Sequence, residues 1–197
     1  MNPLTQKASG ATSESPGAWG LDALVGRFVE LRGAAGAAAM TMAARVLLQA
    51  QLRHEPVVWV GHPESLFFPP DFAAAGLDLE ALPVVRARDG RQLARMADTL
   101  LRSGGFTVVV LDLGERMTLS TAVQARLSGL AKRHQCVLLG ITRRQSPLGS
   151  MISLRGETSL QRADPDRFTC QLSIVKDKLR GPGWQHTEVC RGPDGLC

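Results

Sequence analysis

Four consecutive large apolar residues, Val108-Val109-Val110-Leu111, sit inside the run Phe106–Leu113. A strand without polar alternation is buried on both faces, as in the inner part of a parallel sheet covered by helices on each side. Further strand candidates are Phe28–Leu31, Val57–Val60, Pro83–Ala87 and Cys136–Thr142. Helical patterns lie between them. In Arg91–Arg102, Leu93, Met96, Ala97, Leu100 and Leu101 recur at three- and four-residue spacing and form one apolar stripe. Leu119, Val123, Leu127, Leu130 and Ala131 do the same in Leu119–His134, with Thr118 or Ser120 placed to cap the helix. A helix over Ala38–Arg53 turns Met42, Val46, Leu47 and Ala50 inward.

Strands alternating with helices predict an α/β fold, a mostly parallel twisted sheet flanked by helices on both faces. The C-terminal third breaks the alternation. Arg143–Phe168 is polar and reads as a long loop. Thr169–Lys178 then alternates, with Cys170, Leu172 and Ile174 on one side and Gln171 and Ser173 on the other. Trp184–Arg191 can pair with it as an antiparallel edge. The 197 residues, 44% hydrophobic, suit a single core domain over 19–197. The polar stretch 1–18, rich in Ser, Gly and Pro, is expected to be a mobile tail with no signal peptide.

Several classes of function find no support. The apolar runs are too short to span a membrane, so a cytoplasmic protein, in places associated with the nucleoid, is expected. Cys136, Cys170, Cys190 and Cys197 show no metal-ligand spacing and read as reduced thiols. His54, His62, His134 and His186 show no nucleophile or metal pattern, so neither a catalytic triad nor a bound metal is expected. The net charge of +5 is compatible with an acidic partner without requiring one. Trp59, Trp184 and Leu66-Phe67-Phe68-Pro69-Pro70 read as core or its lid, with Phe67 and Phe68 as an alternative docking patch.

The turn after the first strand candidate carries the sharpest question. Val29 and Leu31 lead into Gly33-Ala34-Ala35-Gly36-Ala37-Ala38-Ala39 and then a helix. A working phosphate loop needs backbone N–H groups converging on phosphate, a Lys for the outer phosphates and a hydroxyl for magnesium. Counted from Gly33, the closing Gly, Lys and Ser/Thr positions are Ala38, Ala39 and Met40. The helix N-terminus alone offers a weak anion site. Thr41 is one place late. The stretch is therefore either an ordinary strand-to-helix turn or a phosphate loop that has lost its chemistry, and no nucleotide cofactor is expected.

The surroundings bear on that choice. Gly20-Leu21-Asp22-Ala23-Leu24 stands before the loop, and Trp59–Glu64 ends a strand with an acid. Phe106–Asp112 is an apolar strand ending in Asp, and Val175-Lys176-Asp177-Lys178 comes later. This order resembles the RecA recombinase superfamily from Gly20 to about Gly195. The resemblance implies that Glu64 and Asp112 are vestiges of the catalytic Glu and the magnesium-binding Asp. It implies that Lys176 and Lys178 match the pair that reaches a neighbour's nucleotide across a subunit interface. By residue type alone, Glu64 is equally a solvated acid, Asp112 a strand-end cap, and the two lysines a solvated strand end. The lysines share one face of a strand and Asp177 takes the other.

The departures from RecA point to a degenerate branch. The loop is emptied at Ala38, Ala39 and Met40, the segment after Asp112 is short, and Arg143 stands near the place of the nucleotide-sensing Gln. The chain is thus most similar to ImuA-type proteins of bacterial mutagenesis cassettes, which work beside an ImuB-type polymerase relative in damage-induced translesion synthesis. That similarity implies a non-catalytic regulatory protein of the SOS response that binds RecA, an ImuB-type partner or both, and caps or inhibits RecA filaments. Arg143, Arg144, Arg155, Arg162 and Arg167 fall where RecA contacts single-stranded DNA. They form either a salt-dependent DNA contact or a solvated loop. The alternatives are an ATP-dependent repair ATPase with an atypical loop, favoured by Asp112 and Glu64, and a SulA-like cell-division inhibitor, which shares the core without a phosphate loop.

Overall fold

The computed structural model describes residues 19–33, 37–63, 65, 67–115, 117–143, 148–164 and 167–191. A short helix, α1 (Leu21–Leu24), precedes strand β1 (Phe28–Arg32), which leads to the long helix α2 (Ala37–Leu52) and then β2 (Val57–Gly61). The alternation continues through α3 (Pro69–Ala74), β3 (Val84–Arg86), α4 (Gly90–Ser103), β4 (Val108–Gly114), α5 (Thr121–Arg133) and β5 (Val137–Thr142). Three strands complete the order: β6 (Leu154–Asp164), β7 (Arg167–Asp177) and β8 (Gln185–Arg191). All eight strands form one sheet in the order β3-β2-β4-β5-β1-β6-β7-β8. The pairings from β3 to β6 are parallel; β6–β7 and β7–β8 are antiparallel. The expected α/β architecture with an antiparallel C-terminal edge is what the chain adopts.

The continuous apolar run explains itself in the packing. Val108 and Val110 of β4 join a core with Trp19, α1, α2 and Phe72 of α3, while Val109 and Leu111 join the opposite core under α4 and α5. Each of the four is fully buried. Fully burying a Val or Leu side chain contributes about 1.5–3 kcal/mol, so this strand anchors both layers. The α4 stripe turns Leu93, Ala97 and Leu101 into its core. Asp89 caps that helix by accepting from the Gln92 N–H at 2.8 Å, and Gly104 ends it in the left-handed region at φ 63°. Ser120, one of the two cap candidates, caps α5 through the Val123 N–H.

One expectation is corrected. Arg143–Phe168 is not one long loop, because its second half is the eleven-residue strand β6, parallel to β1 and antiparallel to β7. Its side chains are exposed from Ser159 onward, so it shows no apolar alternation. The ladder to β7 and the apolar side chains of β7 hold it in place. A Cβ at Gly156 would lie 2.3 Å from Leu172 Cδ1, so Leu172 crosses β6 through the space that glycine leaves.

The Phe67-Phe68 pair divides. Phe67 is buried, its ring centroid 5.1 Å from Trp59 and 4.6 Å from Phe72, whereas Phe68 is exposed and precedes α3, which opens on two prolines. No described helix is long and apolar enough to cross a membrane.

Candidate functional site

The small-residue turn that begins at Gly33 starts where β1 ends. A Cβ at Gly33 would lie 2.3 Å from Thr158 Oγ1 and 3.3 Å from the Thr158 carbonyl oxygen. The Thr158 hydroxyl donates to the Arg32 carbonyl at 2.9 Å, so β6 closes against the start of the turn. Residues 34–36 lie outside the described ones. Ala38 and Ala39, at the positions a phosphate loop gives to Gly and Lys, are buried in the core beneath α2, and Met40 is partly buried against that core. Thr41 faces β7, where its hydroxyl meets the Cys170 sulfur. The first turn of α2 is thus committed to packing.

Asp112 lies near the C-terminal end of β4, one strand from β1 across β5. Ligands of open parallel sheets sit outside that end of the strands. Its carboxyl is 2% exposed. Oδ1 accepts from the Gly114 N–H at 3.2 Å, and Oδ2 is buried without a hydrogen bond of good geometry. Burial pushes its pKa up; the Gly114 N–H, the Ser65 hydroxyl, Arg143 and Arg86 offset this only in part. Arg86 bonds the Ser65 hydroxyl at 3.0 Å, and the buried Trp59 Nε1 also lacks a partner. The two meet at Gly61, where a Cβ would be 3.1 Å from Asp112 Cβ and 3.2 Å from Trp59 Nε1.

A raised carboxyl pKa means that folding favours the protonated form. Its stabilisation is present at low pH and is lost as pH rises through the folded value. Asp112→Asn, which cannot ionise, is expected to match or exceed the wild-type stability at neutral pH. The difference should vanish below the ordinary carboxylate range, as denaturant unfolding across pH would show.

Of the two lysines, Lys176 lies on β7 and Lys178 in the turn just after it. Lys176 is partly buried and its Nζ donates to the Ser150 carbonyl at 3.0 Å. Burial lowers its pKa, as do Lys178 and Arg155, against the pull of Glu30. Lys178 is exposed, and its backbone N–H donates to the Ser153 carbonyl at 2.9 Å. Asp177, between them, turns to the opposite side and is buried. Arg155, opposite Lys176 in the ladder, joins this cationic cluster.

The arginine set is not one surface. Arg155 is held by Glu30, whose carboxylate is fully buried, and it also donates to the Leu148 carbonyl. Reading it as a residue of a solvated loop is corrected: it is a structural cation of β6. Arg143 pairs with Glu115 near Asp112. Arg162 and Arg167 lie at the far end of the β6–β7 hairpin, where Arg162 Nε contacts the Asp164 carbonyl at 3.4 Å. Seven residues of strand, about 23 Å, separate Arg162 from Arg155. Glu64 and Arg144 lie outside the described residues.

Two buried polar clusters escaped the sequence reading. Glu30 Oε1 accepts from the Thr142 hydroxyl and the Leu148 N–H, both at 2.7 Å. Arg27 donates to Asp177 at 2.6 Å, to the Ser153 hydroxyl at 2.9 Å, and to the Ser153 and Ala23 carbonyls. The signal available for Glu30 was an acid between Val29 and Leu31 in a strand apolar on both faces. Nothing local marks Arg27 and Asp177, which are 150 positions apart. Among the described residues no three His, Cys, Asp or Glu side chains are grouped to hold a metal.

Comparison with known proteins returns RecA repeatedly. RecA of Fusobacterium nucleatum is 33% identical over 88 residues, 44% of this chain and 23% of the relative. RecA of Clostridium acetobutylicum is 27% identical over 146 residues, covering 64% of this chain and 41% of the relative. RecA of Chlorobium chlorochromatii is 28% identical over 156 residues, covering 73% and 43%. The chain spans less than half the length of these curated relatives. No protein-family model matches it. The partial matches and the mostly parallel sheet with its antiparallel edge together support a RecA-like relationship for this chain.

Proposed function

We propose that this chain is a non-catalytic RecA-like protein of the DNA-damage response, of the ImuA type, that serves translesion synthesis by contacting RecA, an ImuB-type polymerase partner or both in the cytoplasm. The observation that supports it best is the first turn of α2. Ala38 and Ala39 are packed into the core at the positions where a nucleotide-hydrolysing relative needs Gly and Lys. The buried alanines at those positions carry no charge to offset a polyphosphate. Lys176 lies near the end of β7 and Lys178 in the turn just after it, where the resemblance puts a pair that reaches a neighbouring subunit. A chain with the reaching lysines and without its own loop docks on one end of a RecA filament and offers the next subunit no competent site.

A second reading, an ATPase with an atypical loop, rests on Asp112, whose Oδ2 is buried without a good hydrogen bond near the C-terminal end of β4. Titration with a fluorescent ATP analogue and magnesium separates the two. The expected result is no saturable binding up to the millimolar range. Saturation at micromolar concentration that Asp112→Asn abolishes would favour the ATPase.

A further inference from the structure

We propose that Cys170 and Cys190 are a redox pair that closes to a disulfide when peroxide reaches the protein. They are 20 positions apart in sequence on the neighbouring strands β7 and β8, with the sulfurs 3.4 Å apart. Both are free thiols. Their environments differ in a useful way. Cys170 is fully buried beneath α2, and Cys190 is partly buried on β8, which among the described strands pairs with β7 alone. Peroxide therefore meets Cys190 first, and Cys170 lies behind it in contact.

The register sets Cys170 opposite Glu188 and Cys190 opposite Phe168, so the cysteines are diagonal neighbours. A disulfide needs the sulfurs about 2.05 Å apart. The required approach falls on β8, the edge strand, whose ladder runs along one side and whose Glu188 is tied to Arg45 of α2. The polar surroundings favour charge on one sulfur. The Cys190 S–H donates to Cys170 and lowers its pKa, burial opposes this, and the Thr41 hydroxyl assists. The Cys190 thiol is pushed up, first by its hydrogen bond to Cys170, then by burial and by Glu188, which pairs with Arg45 of α2 at 3.0 Å, so access and not acidity puts the first reaction at Cys190.

The chemistry balances with hydrogen peroxide as the oxidant. The Cys190 sulfur attacks one peroxide oxygen, the O–O bond breaks, and the departing hydroxide takes up the thiol proton as water. Cys190 is then a sulfenic acid. The Cys170 thiol attacks that sulfur, the S–S bond forms, the S–O bond breaks, and the departing hydroxide takes up the proton that Cys170 releases, as a second water. Two thiols lose two electrons and peroxide becomes two waters. The product ties the edge strand to its neighbour beside the first turn of α2.

The test uses the full chain, treated with peroxide, alkylated and digested by trypsin without reduction. The expected product links the peptide Phe168–Lys176 to Gly181–Arg191, and it separates on addition of a dithiol reductant. Cys136 is the internal control, because burial pushes its pKa up to about 12 and it should remain alkylatable only after unfolding. In Cys170→Ser, Cys190 has no resolving partner, and its sulfenic acid should be trapped by dimedone. Should that variant fail to fold, Cys190→Ser serves instead: it must give no linked peptide and leave Cys170 unoxidised at the same peroxide dose. A link from Cys190 to Cys197, over-oxidation of Cys190 beside an intact Cys170, or two alkylatable thiols after treatment would each overturn the proposal.

Discussion

Asp177→Ala is expected to lower the unfolding free energy by about 3–5 kcal/mol, the cost of stranding one member of a buried ion pair. Arg27 and Asp177 join opposite ends of the chain. Arg27 precedes β1, and Asp177 closes β7. Their side chains are 6% and 0% exposed and their atoms 2.6 Å apart. Asp177 also accepts from the Leu179 N–H at 2.8 Å, the Arg180 N–H at 3.3 Å and the Trp184 indole N–H at 3.1 Å, so it holds the turn between β7 and β8 as well. Against a total of about 5–15 kcal/mol for a domain, the loss is large. Arg27→Lys should not restore it, because a single ammonium cannot reach the Ala23 carbonyl, both Ser153 oxygens and Asp177 as the fork does. The pH dependence gives a second readout. Burial pushes the Asp177 pKa up, but the Leu179 N–H, Arg27, Trp184 and the Arg180 N–H outweigh it and hold the carboxyl below its ordinary value of 3.8. Its contribution is therefore complete above about pH 4 and lost as pH falls through the folded value. Chemical unfolding of Asp177→Asn should show a shallower acid limb than wild type.

Arg155→Ala carries the second large effect, again about 3–5 kcal/mol, because it leaves the Glu30 carboxylate buried and uncompensated. Glu30 binds the Thr142 hydroxyl at the end of β5 and the Leu148 N–H, and Arg155 returns to the Leu148 carbonyl, so the network fixes the approach to β6. An arginine on a solvated loop would cost less than about 0.5 kcal/mol when truncated. The size of the loss thus separates a structural cation from a DNA-contacting one. A double-mutant cycle with Glu30→Gln should show coupling of about 0.5–3 kcal/mol, since the two side chains touch. The same substitution should disturb the lysine patch, where Lys176 is anchored on Ser150 a few residues from Leu148.

What the sequence made legible follows from period and burial. Strands with both faces covered, such as Val57–Gly61 and Val108–Gly114, announce themselves as apolar runs, and α4 shows its stripe because one face is wet. β6 was illegible because its outer half is exposed and its ladder is made of backbone. Ala38 and Ala39, which the sequence leaves as either an ordinary turn or an emptied phosphate loop, belong to the core. The two-residue period reads Lys176 and Lys178 as one strand face; β7 ends at Asp177, so Lys176 lies on the strand and Lys178 in the turn after it. The joining of Arg155 to Glu30, of Arg27 to Asp177, and of Cys170 to Cys190 depends on strand order. Spacing along the chain carries no trace of it: the partners are 125, 150 and 20 residues apart.

Binding to RecA tests the proposed role most directly. RecA assembled on single-stranded DNA with a non-hydrolysable ATP analogue is titrated with the fluorescently labelled chain, wild type against Lys176→Ala/Lys178→Ala. Lys178 is exposed in the turn after β7, whereas Lys176 is partly buried on the Ser150 carbonyl, so Lys178→Ala alone, which should keep the wild-type unfolding midpoint, is titrated beside the double variant. Saturable binding by wild type, with affinity lowered at least tenfold in the variant, a difference of about 1.4 kcal/mol, is the expected result. Absence of wild-type binding, or equal binding by both, would contradict docking through the lysine pair.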